Sequence, residues 1–284
     1  FTNHLYIMSS IVAKFELKCK VFGFCHGTDL RQLYKNDTHK EFIYTNIPKL
    51  DGIFCLSEKQ KIEIINIFNL SPDNIHVIGG GYDIDFCYKG KDKIYNKNSK
   101  IKLIYAGKFS RSKGIIYLLK AFEKIKDKYN IELILAGSGT GNEFEEIIDY
   151  SNKLKDKVKL YGYMSKGEIS DLFRDCDIFV MPSFYEGLSL VTIEALACGL
   201  KVVMNELENF IDFVGKEITE SNNIVFVKMP VLYDTDKLLE NEVEDYINRL
   251  SLGLEKQINN LYSYKYEKNF TSKINKYSWK NICN

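Results

Sequence analysis

Short apolar runs recur from Lys100 onward, at 103–106, 133–136, 158–161, 178–181, 202–204 and 224–227. Most are continuously apolar rather than alternating, as strands buried on both faces are. Helical spacing fills most of the gaps. Ile115, Leu118, Leu119, Phe122 and Ile125 follow a helical period, and 143–154 and 166–174 read as further helices. Such alternation predicts a parallel sheet covered by helices, a doubly wound α/β domain. Its ligand should lie beyond the carboxyl ends of the strands.

Ahead of Lys100 the pattern is thinner. Runs 21–25, 52–56 and 75–78 read as three strands, and Ser57 as the N-cap of a helix over 59–68. Gly79, Gly80 and Gly81 end the third strand. Lys89, Lys91, Lys93, Lys97, Lys100 and Lys102 crowd a polar stretch, of which 89–100 reads as a linker. Three strands make a poor free-standing doubly wound domain. Residues 1–88 are therefore expected to be the second half of one whose beginning is absent, and the opening on Phe1 fits a fragment or a processed start. Residues 101–284 form the second domain. Its tail from Glu242 is helical and charged, with Tyr262, Tyr264 and Tyr266 alternating and Trp279 docked on the body.

Composition narrows the classes. The 284 residues are 45% hydrophobic, enough for a substantial core and against disorder. Lys and Arg number 39 against 38 Asp and Glu, which argues against a general grip on nucleic acid. The lysine-rich segments leave peripheral contact with a membrane surface open. Seven cysteines, Cys19, Cys25, Cys55, Cys87, Cys176, Cys198 and Cys283, lack paired spacing and read as buried thiols in a reducing cytosol. No metal motif, membrane-spanning run or leader is visible, so a cytoplasmic protein without metal is expected, at the inner face of the membrane if that contact is made.

Candidate chemistry collects at the strand ends. The first strand of the second half runs into Gly107, Lys108, Arg111, Lys113 and Gly114. A phosphate-bearing ligand suits such a loop, although a tight turn with solvated lysines suits the pattern equally. Its spacing matches neither the Walker nor the dinucleotide fingerprint. Gly137, Gly139 and Gly141 form a second glycine-rich turn, which serves a ligand or only a sharp reversal. Tyr163 and Met164, after Gly162, could wall a nucleobase or belong to the core. Glu186 sits on the loop after strand 178–181, and Glu194 in an apolar helix over 190–198. An acid among Ile193, Ala195 and Leu196 needs a partner. Two acids around a helix start suit a ligand with an anionic centre and hydroxyl-rich ends, as a nucleotide sugar has.

The run from Glu186 to Gly199 resembles the signature of the group 1 (family 4) retaining glycosyltransferases of the GT-B fold: Glu, seven residues, Glu, then Ala and a closing Gly. Residues 177–183, the Gly107 to Gly114 loop, Gly137-Ser138-Gly139 and Gly81-Tyr82-Asp83 are also similar to that family. Together these landmarks span nearly all of 45–230. The resemblance implies an α/β, GT-B-like protein: two Rossmann-like doubly wound parallel-sheet domains, the first incomplete. It implies that Glu186 contacts donor-sugar hydroxyls, that Glu194 holds a ribose diol, that Leu188, Ser189 and Leu190 face a diphosphate, and that Gly187 is among the donor-binding residues. Lys113, with Lys108, would neutralise that diphosphate. Many relatives carry arginine where this chain has Lys108, which keeps the charge but not the bidentate fork. The loop from Cys25 to Arg31 is similar to one that places a histidine over the interdomain cleft, a role that maps onto His26; His4 is a second candidate for that place.

The activity so implied is a metal-independent retaining hexosyltransferase that moves a sugar from a nucleoside diphosphate sugar to a glycan, lipid or small-molecule acceptor. His26, Glu186 and Lys113 are its catalytic candidates, and no separate cofactor is expected. A non-catalytic nucleotide-sugar-binding module and a GT-B-type epimerase or phosphorylase are the alternatives. The sequence names neither donor sugar nor acceptor.

Overall fold

The computed structural model describes all residues except 16, 36, 235, 264–269 and 283–284. They form two compact units, Phe1–Gly80 with Glu186–Leu188, and Gly81–Tyr185 with Ser189–Asn284.

The first unit carries four parallel strands in the order β1 (Thr2–Asn3), β2 (Phe22–Phe24), β3 (Gly52–Cys55) and β4 (Ile75–Val77). Helices α1 (Ile7–Lys14), α2 (Gly27–Lys35), α3 (Lys40–Asn46) and α4 (Glu58–Phe68) accompany them. Leu5, Leu33, Ile43, Ile47, Ile53 and Ile64 make a dry core. Ser57 caps α4 as the sequence indicates, its hydroxyl accepting from Gln60 N–H at 3.2 Å. Sequence reading found β2, β3 and β4. It missed β1, which is only two residues long and shows no periodicity. It also missed α1, whose N-cap residue, Tyr6, makes no side-chain capping bond.

The second unit has six parallel strands: β5 (Ile101–Ala106), β6 (Ile131–Ala136), β7 (Val158–Tyr161), β8 (Ile178–Met181), β9 (Lys201–Asn205) and β10 (Ile224–Val227). Their order across the sheet is β10-β9-β8-β5-β6-β7, every neighbouring pair parallel. All six runs read from the sequence are strands. Every residue of β6, β8 and β9 is buried, which is why those runs are largely apolar. Helices α5 (Ile115–Ile125), α6 (Asn142–Lys153), α7 (Lys166–Asp175) and α8 (Leu190–Ala197) connect the first five strands. Two short helices follow, α9 (Glu208–Val214) and α10 (Lys216–Thr219), and then the long α11 (Glu240–Tyr262). Ser165 and Glu168 form a reciprocal cap on α7. Gln257 on α11 donates to the backbone carbonyls of Val202 and Asn223 at 2.9 Å each, which ties the helix to the sheet.

Two segments return to this unit. The lysine-rich stretch is fastened to the amino end of β8: buried Asp177 accepts from Lys93 Nζ, Tyr95 Oη and Lys102 N–H, each at 2.8 Å. The tail docks through α12 (Phe270–Asn275) and α13 (Trp279–Ile282), with Trp279 N–H donating to the Tyr82 carbonyl at 3.0 Å. Tyr264, Tyr266 and Cys283 lie outside the described residues.

Candidate functional site

In the second unit the direction of winding reverses between β5 and β8, which are neighbours in the sheet but not in sequence. The connections on either side leave in opposite directions, so a crevice opens beyond the carboxyl ends of these two strands. The loops singled out in the sequence, 106–114 and 182–189, are the two that leave from there.

They are held together by backbone. Phe184 N–H donates to the Ser112 carbonyl at 2.9 Å. Gly114 has φ +68°, and a Cβ there would lie 2.2 Å from the Pro182 carbonyl oxygen. Glycine is required twice over, for the left-handed backbone and for the close approach. On its other side the β5 loop rests on the turn after β6. Phe109 N–H donates to the Ser138 carbonyl at 2.8 Å, and a Cβ on Gly137 would lie 1.9 Å from the Gly107 carbonyl oxygen. Gly137 thus seats the phosphate-loop candidate. Tyr105, fully buried on β5, donates its hydroxyl to the Lys108 carbonyl at 2.9 Å and braces the same loop from below.

The cations of this loop are not equivalent. Glu143, in the first turn of α6, accepts from Arg111 N–H at 2.9 Å and lies 3.4 Å from its guanidinium Nε. Glu143 thereby offsets the charge of Arg111; Lys108 is exposed and Lys113 half-buried. Tyr163 at the carboxyl end of β7 is 87% exposed, so it is not core, whereas Met164 packs partly against the core.

The β8 loop is fixed by two residues the sequence reading did not single out. Asn205, at the end of β9, donates its amide to the Pro182 and Ser183 carbonyls at 3.0 and 3.1 Å. Tyr246 of α11 donates to Asn205 Oδ1 at 3.0 Å and lies 3.3 Å from the Pro182 carbonyl. Both side chains are fully buried, and burial pushes the Tyr246 phenol above its ordinary pKa, keeping it a donor. Each comes from an element distant in sequence, and neither belongs to a local motif.

Ser189 precedes α8 in a left-handed conformation, φ 49° and ψ 56°, uncommon for a residue with a side chain. Its hydroxyl pairs with Thr192 Oγ1 at 2.7 Å rather than capping the helix. The first amides of α8, at Leu190 and Val191, therefore begin the helix without a side-chain cap, the arrangement that favours an anion. Glu194 lies one turn further on and is half-buried. Burial raises its pKa above the ordinary carboxylate range. Lys166 opposes the rise, and Asp83, 3.9 Å from Lys166, adds to it.

Glu186, Gly187 and Leu188 are grouped with the first unit, and connectivity places them directly before Ser189. His26 also belongs to the first unit. Its N–H donates to Asp29 Oδ2 at 2.7 Å, its Nε2 lies 3.4 Å from Asn3 Oδ1, and its ring centroid is 4.9 Å from that of His4. Buried Asp29 organises the pair, also accepting from Leu5 N–H at 2.9 Å and meeting His4 Nδ1 at 3.1 Å. Sequence reading missed Asp29, although an acid three residues after His26 at a helix start is a readable capping signal.

Among the described residues, no group of three or more His, Cys, Asp or Glu could hold a metal ion, and no helix is long and apolar enough to cross a membrane.

The two Rossmann-like parallel sheets are those of the GT-B glycosyltransferase fold. Sucrose-phosphate synthase from Thermosynechococcus elongatus superposes with a TM-score of 0.66 at 17% identity, covering 99% of this chain and 69% of that one. HepE of Anabaena, solved in complex with UDP and glucose, gives 0.64 at 16% identity, over 93% of this chain and 69% of that one. Residues 88–228 match the family model of the glycosyl transferases group 1. An uncharacterised glycosyltransferase of Methanocaldococcus jannaschii is 28% identical over 276 residues, 91% of this chain and 65% of that protein. The phosphatidylinositol N-acetylglucosaminyltransferase GPI3 subunit of Saccharomyces cerevisiae is 27% identical over 185 residues, 63% of this chain and 40% of that protein. The chain thus spans less than two thirds of the length of these two relatives. Over residues 88–228 the chain is thus similar to the glycosyl transferases group 1.

Proposed function

We propose that this chain binds a nucleoside diphosphate sugar at the β5–β8 crevice and moves the sugar to an acceptor with retention at the anomeric carbon, without a metal. One observation carries the reading. The loop bearing Lys108 and Lys113 is locked to the loop leading into the uncapped start of α8. Relatives named for glycosyl transfer, and a structural neighbour solved with UDP and glucose, support the same donor class.

The barrier to such a transfer is departure of a diphosphate that gains negative charge. A lysine ammonium at about 4 Å contributes roughly 4 kcal/mol where water is partly excluded. A helix start adds about 0.3–2 kcal/mol. Both terms grow as the leaving group charges, so they act on the rate as well as on binding. In this scheme Lys113 and Lys108 neutralise the diphosphate, and the amides of Leu188, Ser189 and Leu190 receive its oxygens. Glu194 accepts from the ribose diol, Tyr163 and Met164 flank the base, and Gly107 and Gly137 let the loop approach. Glu186, Gly187 and His26 are the further residues that the family resemblance assigns to the donor.

Titration calorimetry of the whole chain with UDP and a panel of nucleoside diphosphate sugars tests the binding half. Proton NMR of the product's anomeric centre, with candidate glycan and lipid acceptors, tests the transfer. Absence of nucleotide binding rejects the proposal; binding without turnover leaves a donor-binding module.

A further inference from the structure

At the opposite pole of the second unit, by the amino ends of β8 and β9, the fold builds a second recess. Lys89, Lys91, Lys93, Arg174 and Lys201 line it, with Asp92 as the lining acid. Its volume of ≈ 60 Å³ is far below the roughly 300 Å³ at which pockets for drug-sized ligands begin. It has room for one small group, not for a sugar nucleotide.

The cations are positioned rather than merely present. A Cβ on Gly199 would lie 3.0 Å from Lys89 Cγ, so the lysine stem lies against that glycine. The Arg174 stem packs in the same way beside Gly90, and its guanidinium sits 4.1 Å from the centroid of Tyr88. Arg174 also donates to the Phe86 carbonyl at 2.8 Å. Lys201 is 3% exposed, and its ammonium donates to the Asn222 carbonyl at 2.9 Å. Asp92 pairs with Lys89 inside the recess, while Asp171 and Asp177 reach Arg174 and Lys93 from outside its lining, the latter at 2.8 Å. Asp92, Asp177 and Asp171 offset three of the five cations, which leaves a modest positive excess, in a partly enclosed space where solvent screens charge less than on an open surface.

We propose that this recess is an anion site for a single phosphate group, separate from the donor crevice. Asp177 fixes Lys93 while the glycines seat Lys89 and Arg174, so the cradle exists before the anion arrives and little ordering opposes binding. The phosphate can come from a soluble phosphate or from a phospholipid headgroup, since the recess recognises only the shared group.

The test titrates inorganic phosphate and diphosphate into the whole chain by calorimetry, beside the Lys89→Gln/Lys91→Gln double variant and Lys113→Ala. Both lysines of the double variant reach the surface of the unit, and circular dichroism verifies its fold. The expected result is about tenfold weaker binding in the double variant, as loss of charge-assisted contacts gives, with an equally tight event retained in Lys113→Ala. Co-sedimentation with phosphatidylcholine vesicles, with and without phosphatidic acid, separates the sources. Capture by acidic vesicles that the double variant loses assigns a lipid headgroup; calorimetric binding without capture assigns a soluble phosphate. Absence of both events, or binding abolished by Lys113→Ala and untouched by the double variant, overturns the proposal. Because Lys113 alone reports on the donor crevice, failure here leaves that reading standing.

Discussion

Gly114 lies so close to the carbonyl of Pro182 that a Cβ would sit 2.2 Å from its oxygen. This approach sets the spacing between the loops after β5 and β8. Gly114→Ala adds a left-handed backbone penalty of roughly 1–2 kcal/mol and forces the Pro182 backbone to shift. Calorimetric melting should fall by several degrees or more, since each kcal/mol moves Tm by about 2–4 °C at this size. Nucleotide affinity should fall with it. A variant that melts and binds like the parent shows that the spacing does not matter.

Tyr246 and Asn205 hold the β8 loop through the Pro182 and Ser183 carbonyls. Tyr246→Phe leaves Asn205 Oδ1 buried and short of one donor, at a cost of about 1–3 kcal/mol. The expected result is a lower Tm together with a moderate rise in KM for the donor. A change in kcat alone, with stability and KM intact, would contradict this assignment.

Glu194 joins stability to binding. Its carboxyl is raised by burial, so the folded chain keeps the proton through a range where the unfolded chain has released it. The contribution of this group is therefore most favourable at and below the ordinary carboxylate pKa, and it is lost as pH rises through the raised value. Glu194→Gln should flatten that slope and raise Tm near neutral pH. It should also weaken nucleoside diphosphate binding about tenfold, through loss of a charged acceptor. Melting curves from the ordinary carboxylate range up to neutral pH, paired with nucleotide titrations, read both effects; a variant that melts lower near neutral pH refutes the first.

Lys113→Ala removes positive charge from the loop beside the α8 start. Donor affinity should drop about tenfold or more, and kcat/KM should drop further, because the diphosphate gains charge in the transition state. Lys113→Arg should recover part of the loss. Steady-state kinetics at low and high salt distinguish this from a folding defect, since the gap between the parent and the Lys113→Ala variant should shrink as salt screens the charge.

Much of this geometry was legible along the chain. The strands of the second unit are buried on both faces, so their apolar runs stand out, and turns at Gly107, Gly114 and Gly137 mark where they end. The two acids were visible because Glu194 interrupts an apolar helix. What escaped came from distance in sequence. Asn205 and Tyr246 reach Pro182 from 23 and 64 positions away, and no local pattern announces such a contact. The pairing of Arg111 with Glu143 escaped for the same reason, and it offsets the charge of a residue that the sequence alone would count among the cations. In the first unit, the two-residue β1 is defined by pairing with β2 and not by any periodicity of its own.

The chain enters the second unit at Gly81 and comes back beside that point at Ser278, where Tyr82 and Ser278 form a parallel bridge. The unit's entry and this later segment are therefore neighbours. A short peptide graft could join them into a ring, and new ends could be opened in an exposed turn elsewhere on the unit. The second unit thus has the closed chain path on which a circular permutation can be built.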